Sequence, residues 1–269
     1  MPLSTLPLVL IVVLLELAVG GAFVLWALDR TRLAPGGFLK VTAAVNAAAG
    51  VLAFLLLPVI PRGSAAEAAA LKPGALDALA QAVPVLFVLL IAQLVTTFLP
   101  FRPLRAVIGA ATIIGGGLTL MAATVARPSD APYDVFALLA LPLGALALGG
   151  VDAAMLLGHW YLVTPKLSPK PLQRAALIAA AAVLLQAGIV AVTLARGQLL
   201  GTLESTLVVP IAIRIGVGLL MTFALVLAAW WTARMNTQSS TGLLYVALGT
   251  VIAGEVAARV VYYLTGVPL

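Results

Sequence analysis

Six ionisable residues fall inside long apolar stretches of this chain, where water is not available to solvate a charge. They are Glu16, Asp152, His159, Arg214, Glu255 and Arg259. A charged side chain in hydrocarbon costs about 3 kcal/mol or more, so each of these needs a partner, a polar cavity or a function. Glu255 and Arg259 are four residues apart, and a helix would therefore place them on one face, where they can pair.

Four of these residues form a candidate polar pocket for a quinone head-group or a proton path: Glu16, Arg214, Glu255 and Arg259. If the pocket handles quinol, the two carboxylates would accept protons from the quinol hydroxyls, and Arg259 would hold one carboxylate ionised. Arg214 is a candidate for hydrogen bonding to a quinone carbonyl. This requires the first, seventh and eighth helices to be neighbours. The alternative is that the four residues are neutralising pairs that fix the register of the helices.

Asp152 and His159 are candidates for a proton path, because they are seven residues apart and lie on roughly the same face of a helix. About 10 Å of helix axis separates them. The alternative is an interfacial anchor, since Trp160 and Tyr161 follow His159 and both residue types favour the membrane interface. A metal site needs several ligands, and His159 with Met155 one turn earlier is too few. We therefore predict no metal site.

The composition excludes a soluble protein. Of 269 residues, 63% are apolar and only 9% are charged, against about 25% charged in an ordinary soluble domain. The chain has no cysteine and one histidine. It therefore cannot itself form an iron–sulfur cluster held by thiolates or a haem b held by two histidines. Any redox centre must belong to a partner.

Hydropathy predicts an all-α integral membrane protein, with residues 1–269 forming a single domain of about eight transmembrane helices. The predicted helices are 5–28, 38–60, 79–99, 103–126, 135–163, 174–195, 208–233 and 241–264. The longest connection, 61–78, is predicted to contain a short interfacial helix. Glycine pairs such as Gly20–Gly21 and Gly149–Gly150 would let neighbouring helices approach closely.

Lysine and arginine predict the orientation. The connections after the odd-numbered helices hold nine: Arg30, Arg32, Lys40, Arg102, Arg105, Lys166, Lys170, Arg174 and Arg234. The other connections hold four: Arg62, Lys72, Arg127 and Arg196. Most acidic loop residues fall on this second side: Glu67, Asp77, Asp130, Asp134 and Glu204. Both termini are therefore expected on the periplasmic side of a bacterial inner membrane. Topology also explains the net charge of +6, so no nucleic-acid partner is expected.

Two stretches resemble a known family. The first is the N-terminal helix, from Leu6-Pro7-Leu8-Val9 to Gly20-Gly21-Ala22-Phe23 and on to Leu28. The second is Ala253-Gly254-Glu255, followed by Arg259 and by the pair Tyr262-Tyr263. Both are similar to the corresponding ends of the membrane anchor subunit of dimethyl sulfoxide reductase.

The resemblance implies a haem-free anchor with eight helices and both termini outside. Such an anchor oxidises quinol and passes electrons to an iron–sulfur subunit, which serves a molybdopterin catalytic subunit. One feature departs from the family, which has a histidine after the second helix that is tied to quinol oxidation. The matching segment here, residues 57–64, has no histidine.

Two other functions fit the same composition. The chain could be a non-catalytic structural or assembly subunit of a membrane complex, in contact with lipids and with other subunits. It could also be a transporter of a small solute or an ion. The two halves of the chain show no matching pair of helices broken by proline or glycine, which counts against a transporter built from inverted repeats.

Overall fold

The structure, a computed structural model, describes residues 2–129, 134–164, 167–198 and 206–269. All regular secondary structure in these ranges is helical, which confirms the predicted all-α class. Asp130, Lys166 and Glu204, three of the loop residues used to predict the orientation, lie outside the described residues.

Eight helices within the described ranges are long and apolar enough to cross a membrane, as predicted. They are α1 (Leu6–Arg30), α2 (Gly36–Leu55), α3 (Pro73–Thr96), α4 (Arg102–Val125), α5 (Val135–Val163), α6 (Lys170–Ala195), α7 (Val208–Thr232) and α8 (Thr237–Thr265). The chain is therefore a multi-pass membrane protein.

Several helices begin earlier than hydropathy predicts, because their first residues include proline, glycine or polar residues of low hydropathy. Helix α3 begins at Pro73 rather than at residue 79, and proline is favoured at a first helical position. Helix α8 begins at Thr237 rather than at residue 241. The side chain of Asn236 caps it by accepting hydrogen bonds from the backbone N–H groups of Gln238 and Ser239.

Helix α2 ends at Leu55, five residues before the predicted end, and a 3-10 turn follows at Leu57–Val59. The predicted short helix in the connection to α3 is present as Ser64–Ala68. It is only five residues long, and the last third of the predicted connection already belongs to α3.

Helix α7 is not a regular α-helix throughout. Its middle part, Ile213–Met221, is a π-helix with α-helical turns before and after it. At the end of this part the hydroxyl of Thr222 donates a hydrogen bond to the carbonyl of Val217, at 3.1 Å. π-helical turns are rare and frequently lie at functional sites.

Helices α1 and α5 form the centre of the bundle. Helix α1 packs against α2, α4, α5 and α8, and α5 packs also against α6 and α8. Glycines permit the close contact between α1 and α5. A Cβ atom on Gly20 of α1 would overlap with the backbone of α5, and a Cβ atom on Gly149 of α5 would overlap with the backbone of α1. The sequence predicted this use of small residues, although not which helices they join.

The bundle has two ends, which we name by their residues. At the terminus face, Arg127 after α4 donates a hydrogen bond to the carbonyl of Gly266 after α8. At the basic face, Arg105 at the start of α4 pairs with Asp29 at the end of α1. Segments far apart in the chain thus meet at both ends of the helices.

Candidate functional site

The structure brings together four of the six ionisable residues singled out above. Arg259 lies between the two carboxylates: its Nη2 donates to Oε2 of Glu255 at 2.7 Å, and its Nε lies 2.9 Å from Oε1 of Glu16. Arg214 donates from Nη1 to Oε1 of Glu255 at 2.9 Å. We call Glu16, Arg214, Glu255 and Arg259 the ionic cluster.

All four side chains of the ionic cluster are completely buried, with 0% exposure. Two glutamates face two arginines, so the formal charges cancel. Three further groups contribute hydrogen bonds. Gln186 of α6 donates to Oε1 of Glu255 at 2.9 Å, and the carbonyls of Ala140 and Leu269 accept from Arg259 and Arg214, at 3.2 and 3.1 Å.

Helix α8 provides the link between helices that makes the cluster possible. It carries Glu255 and Arg259, and it packs against both α1 and α7. Gly218 and Gly254 form the contact with α7, since a Cβ atom on either would overlap with the Cα atom of the other. Gly218 follows Arg214 by about one helical turn, so this close contact holds Arg214 beside Glu255.

Gly144 of α5 makes room for the cluster. A Cβ atom at this position would lie 2.5 Å from Nη2 of Arg259, 2.7 Å from Oε1 of Glu16 and 2.8 Å from Oε2 of Glu255. Only glycine therefore lets α5 pack directly onto the three charged groups. The backbone of α5 also supplies the Ala140 carbonyl that accepts from Arg259.

The two carboxylates differ in how far their hydrogen-bonding capacity is used. Both oxygens of Glu255 accept hydrogen bonds. Oε1 of Glu16 faces Nε of Arg259 without hydrogen-bond geometry, and its Oε2 has no partner among the described residues. Nη1 of Arg259 and Oε1 of Gln186 also lack one. Buried polar atoms without partners are costly, and these atoms keep unused capacity to bind a polar group.

The segment Gly266–Leu269 covers the cluster at the terminus face. The chain turns at Gly266, which has a φ of +74°, in the left-handed region that favours glycine. The carbonyls of Gly266, Pro268 and Leu269 accept hydrogen bonds from Arg127, Thr193 and Arg214. Leu269 is 1% exposed. The cluster is therefore closed to solvent in this conformation.

Asp152 and His159 lie apart from the ionic cluster. Asp152 is buried, its Oδ2 has no partner among the described residues, and it follows Gly144 by about 12 Å of helix axis. His159 is exposed, and its Nδ1 lies 2.8 Å from the hydroxyl of Tyr245. This pair at the surface favours the interfacial-anchor interpretation of His159, whereas Asp152 retains an unused buried carboxylate oxygen. The proton path stays a prediction.

The hydrogen-bonding role of Gln186 and the position of Gly144 were not predicted. Gln186 stands out in the sequence as one amide in a long run of alanine and leucine, but nothing there indicates its partner. Gly144 follows Pro142 in an apolar helix and carries no signal of its own. Its role depends on the rotation of α5 about its axis, which is set by the packing of the neighbouring helices.

No protein-family model, curated protein or solved structure matches this chain.

Proposed function

We propose that the chain is the quinol-oxidising membrane subunit of an oxidoreductase complex in a bacterial inner membrane, with both termini on the periplasmic side. Its partners would be an iron–sulfur subunit and a molybdopterin catalytic subunit, as the resemblance to the dimethyl sulfoxide reductase anchor implies. Both stretches that carry the resemblance contribute to the ionic cluster, since Glu16 lies in the first and Glu255 and Arg259 lie in the second.

The observation that carries the proposal is the difference between the two carboxylates. Glu255 accepts hydrogen bonds from both arginines and from Gln186, so it is held as an ion and is not free to take a proton. Glu16 keeps one buried oxygen without a partner among the described residues. We therefore assign proton acceptance to Glu16, and to Glu255 the positioning of Arg214 and Arg259.

In this reaction a quinol hydroxyl donates its hydrogen bond to Oε2 of Glu16, and the O–H bond breaks as the proton moves to the carboxylate. Oxidation of one quinol releases two protons and two electrons. The protons leave one after the other through Glu16, and both electrons pass to the redox centre of the partner subunit. Nη1 of Arg259 has no partner among the described residues and would donate to the quinone oxygen.

A quinol can enter the closed site only if a covering element moves. The proposed entrance lies between α7 and the segment Gly266–Leu269, which meet where Arg214 donates to the carbonyl of Leu269. The π-helical part of α7 contains Arg214, and hydrogen bonds between residues five apart replace there the bonds between residues four apart of an α-helix.

The first test is purification from native membranes in a mild detergent, with mass spectrometry of the partners and extraction of quinone. We expect iron–sulfur and molybdenum subunits and bound quinone. A protein that comes out alone and free of quinone would rule the proposal out.

The second test is Glu16→Gln in the purified complex. Glutamine matches glutamate in shape but cannot accept the proton, so we expect at least about a hundredfold loss of quinol oxidation. Oxidation of an artificial electron donor that reacts directly with the partner subunits should not change. Quinol oxidation at the wild-type rate would contradict the assignment of Glu16.

A structural subunit is the second candidate, and complete burial of the four charged side chains favours it. In that case the ionic cluster only joins α1, α5, α6, α7 and α8. The complex would then form with its partners but bind no quinone analogue, and Glu16→Gln would lower the thermal stability of the complex without a specific effect on electron transfer.

A further inference from the structure

A second charged region lies at the basic face, away from the ionic cluster. A pocket of about 270 Å³ opens there between the end of α1 and the start of α4. Its lining residues are Asp29, Arg30, Arg32, Arg102, Pro103 and Ala106. Three arginines from two separate parts of the chain therefore surround one concave site.

The one acidic residue of this lining is already neutralised. Nε and Nη2 of Arg105 donate to the two carboxylate oxygens of Asp29, both at 3.0 Å, in a bidentate pair. None of the ion pairs between described residues involves Arg30, Arg32 or Arg102. The pocket therefore has a net positive charge and is suited to bind an anion.

The backbone at Arg32 supports a binding role. Arg32 has a φ of +60°, in the left-handed region, and its N–H donates to the carbonyl of Asp29 at 3.1 Å. A residue other than glycine costs about 1–2 kcal/mol in this conformation. The cost is consistent with a function for the arginine side chain at this position, since glycine would make the same turn more easily.

An apolar strip runs from the pocket along α4. Val107, Ile114 and Leu118 are 65%, 66% and 66% exposed, and they share one face of a helix long enough to cross a membrane. Pro103, which lines the pocket, precedes Val107 by four residues and lies on the same face. Exposed apolar side chains on such a helix face acyl chains. A positive pocket directly beside an acyl-chain surface matches a molecule with an anionic head and apolar tails.

We propose that this pocket binds the phosphate headgroup of an anionic phospholipid, with the acyl chains of the lipid along Val107, Ile114 and Leu118. Arg32 and Arg102 would donate to the phosphate oxygens, and Arg30 is held nearby by its guanidinium group, 4.9 Å above the ring of Trp26. An acidic protein partner would use the charge but not the apolar strip, so the lipid fits the two observations together.

The test measures lipid binding to the delipidated protein in detergent by native mass spectrometry, with phosphatidylglycerol as the probe and phosphatidylcholine as the neutral comparison. The variants are Arg32→Gly and Arg102→Gln. Arg32→Gly removes the charge and suits the left-handed backbone, so it is expected to fold. The control is Arg174→Gln, an exposed arginine near the start of α6 that does not line the pocket.

We expect the wild type to prefer phosphatidylglycerol. Each pocket variant should lose about fivefold in affinity for this lipid, the effect of about one basic residue at a membrane surface. Arg174→Gln should bind as the wild type does. Equal losses in all three variants would overturn the proposal, because they would indicate a diffuse surface charge.

Two further arms separate the possible sources of the negative charge. Inorganic phosphate at the same concentration should not displace the lipid, and full displacement would assign the pocket to a free anion instead. The second arm uses an acidic peptide. If the peptide binds to the wild type but not to Arg32→Gly, and phosphatidylglycerol shows no preference for the wild type, the pocket would be assigned to a protein partner. Either result overturns the lipid assignment.

Discussion

Helix α1 carries two acidic residues, one in the interior of the bundle and one at the basic face. The fold neutralises both, but in surroundings that differ in access to water. Glu16, in the interior, belongs to a cluster whose four charged side chains are 0% exposed. Asp29, at the basic face, pairs with Arg105 where their side chains are 19% and 14% exposed. Both residues join α1 to other helices, but only the first does so without any access to water.

The difference determines what each region can do. In the interior an uncompensated charge is costly, and the ionic cluster has equal numbers of carboxylates and guanidinium groups. Its chemistry therefore depends on which atoms are left without partners. At the basic face water solvates the excess charge at little cost. Arginines beyond those needed to neutralise Asp29 can therefore remain there and are available to bind an anion.

The largest effect is expected from Arg259→Met. This change leaves two buried carboxylates against Arg214 alone, and a buried ion that loses its partner costs about 3–5 kcal/mol. We expect a large decrease in the thermal unfolding temperature of the purified protein in detergent and a poor yield from membranes. The matched variant at the basic face, Arg105→Met, should lose about 1 kcal/mol or less.

The double variant Arg259→Met with Glu16→Gln sharpens this prediction. It leaves Glu255 and Arg214 as a balanced pair, so it should be more stable than Arg259→Met alone, by about 1 kcal/mol or more. If the second substitution instead made the protein less stable, charge balance would not be what stabilises the cluster.

The next effect is steric. Gly144→Ala places a methyl group within 2.5–2.8 Å of three charged groups, and overpacking of this kind costs about 1–3 kcal/mol. The matched control is Gly117→Ala on α4, where a Cβ atom would meet nothing within 4 Å. There alanine should be neutral or stabilising, by up to about 1 kcal/mol. Similar thermal unfolding temperatures for the two variants would contradict the role given to Gly144.

The sequence predicted the helices better than it predicted the site. Long apolar runs predict the number of helices, because the length needed to cross a membrane is fixed. The i, i+4 spacing predicts that Glu255 and Arg259 can pair, because both lie on one helix. The partners of Glu16 and Arg214 depend on how different helices rotate and pack, and hydropathy contains no information on rotation.

The contributions of glycines and backbone carbonyls were the least predictable. Gly218 and Gly254 are ordinary glycines in apolar helices until the structure places their Cα atoms against each other. The carbonyls of Ala140 and Leu269 accept hydrogen bonds from arginines, but every residue has a carbonyl. Such contacts arise from tertiary packing, and a single sequence does not record them.

The smallest predicted effect connects stability to lipid binding at the basic face. Asp29→Asn removes the acidic charge from the pocket and releases Arg105, at a cost in stability of about 1 kcal/mol or less. The same change makes the pocket more positive, so the affinity for phosphatidylglycerol should rise, by about fivefold.

Salt provides the control for this last variant. Screening weakens interactions at an exposed site but not inside the bundle. The stability difference between wild type and Asp29→Asn should therefore shrink in 1 M salt, a concentration at which the Debye length is about 3 Å. The difference between wild type and Arg259→Met should not. If Asp29→Asn bound the anionic lipid no better than the wild type, the carboxylate of Asp29 would not contribute to the potential in the pocket, and the contrast between Glu16 and Asp29 would be limited to burial.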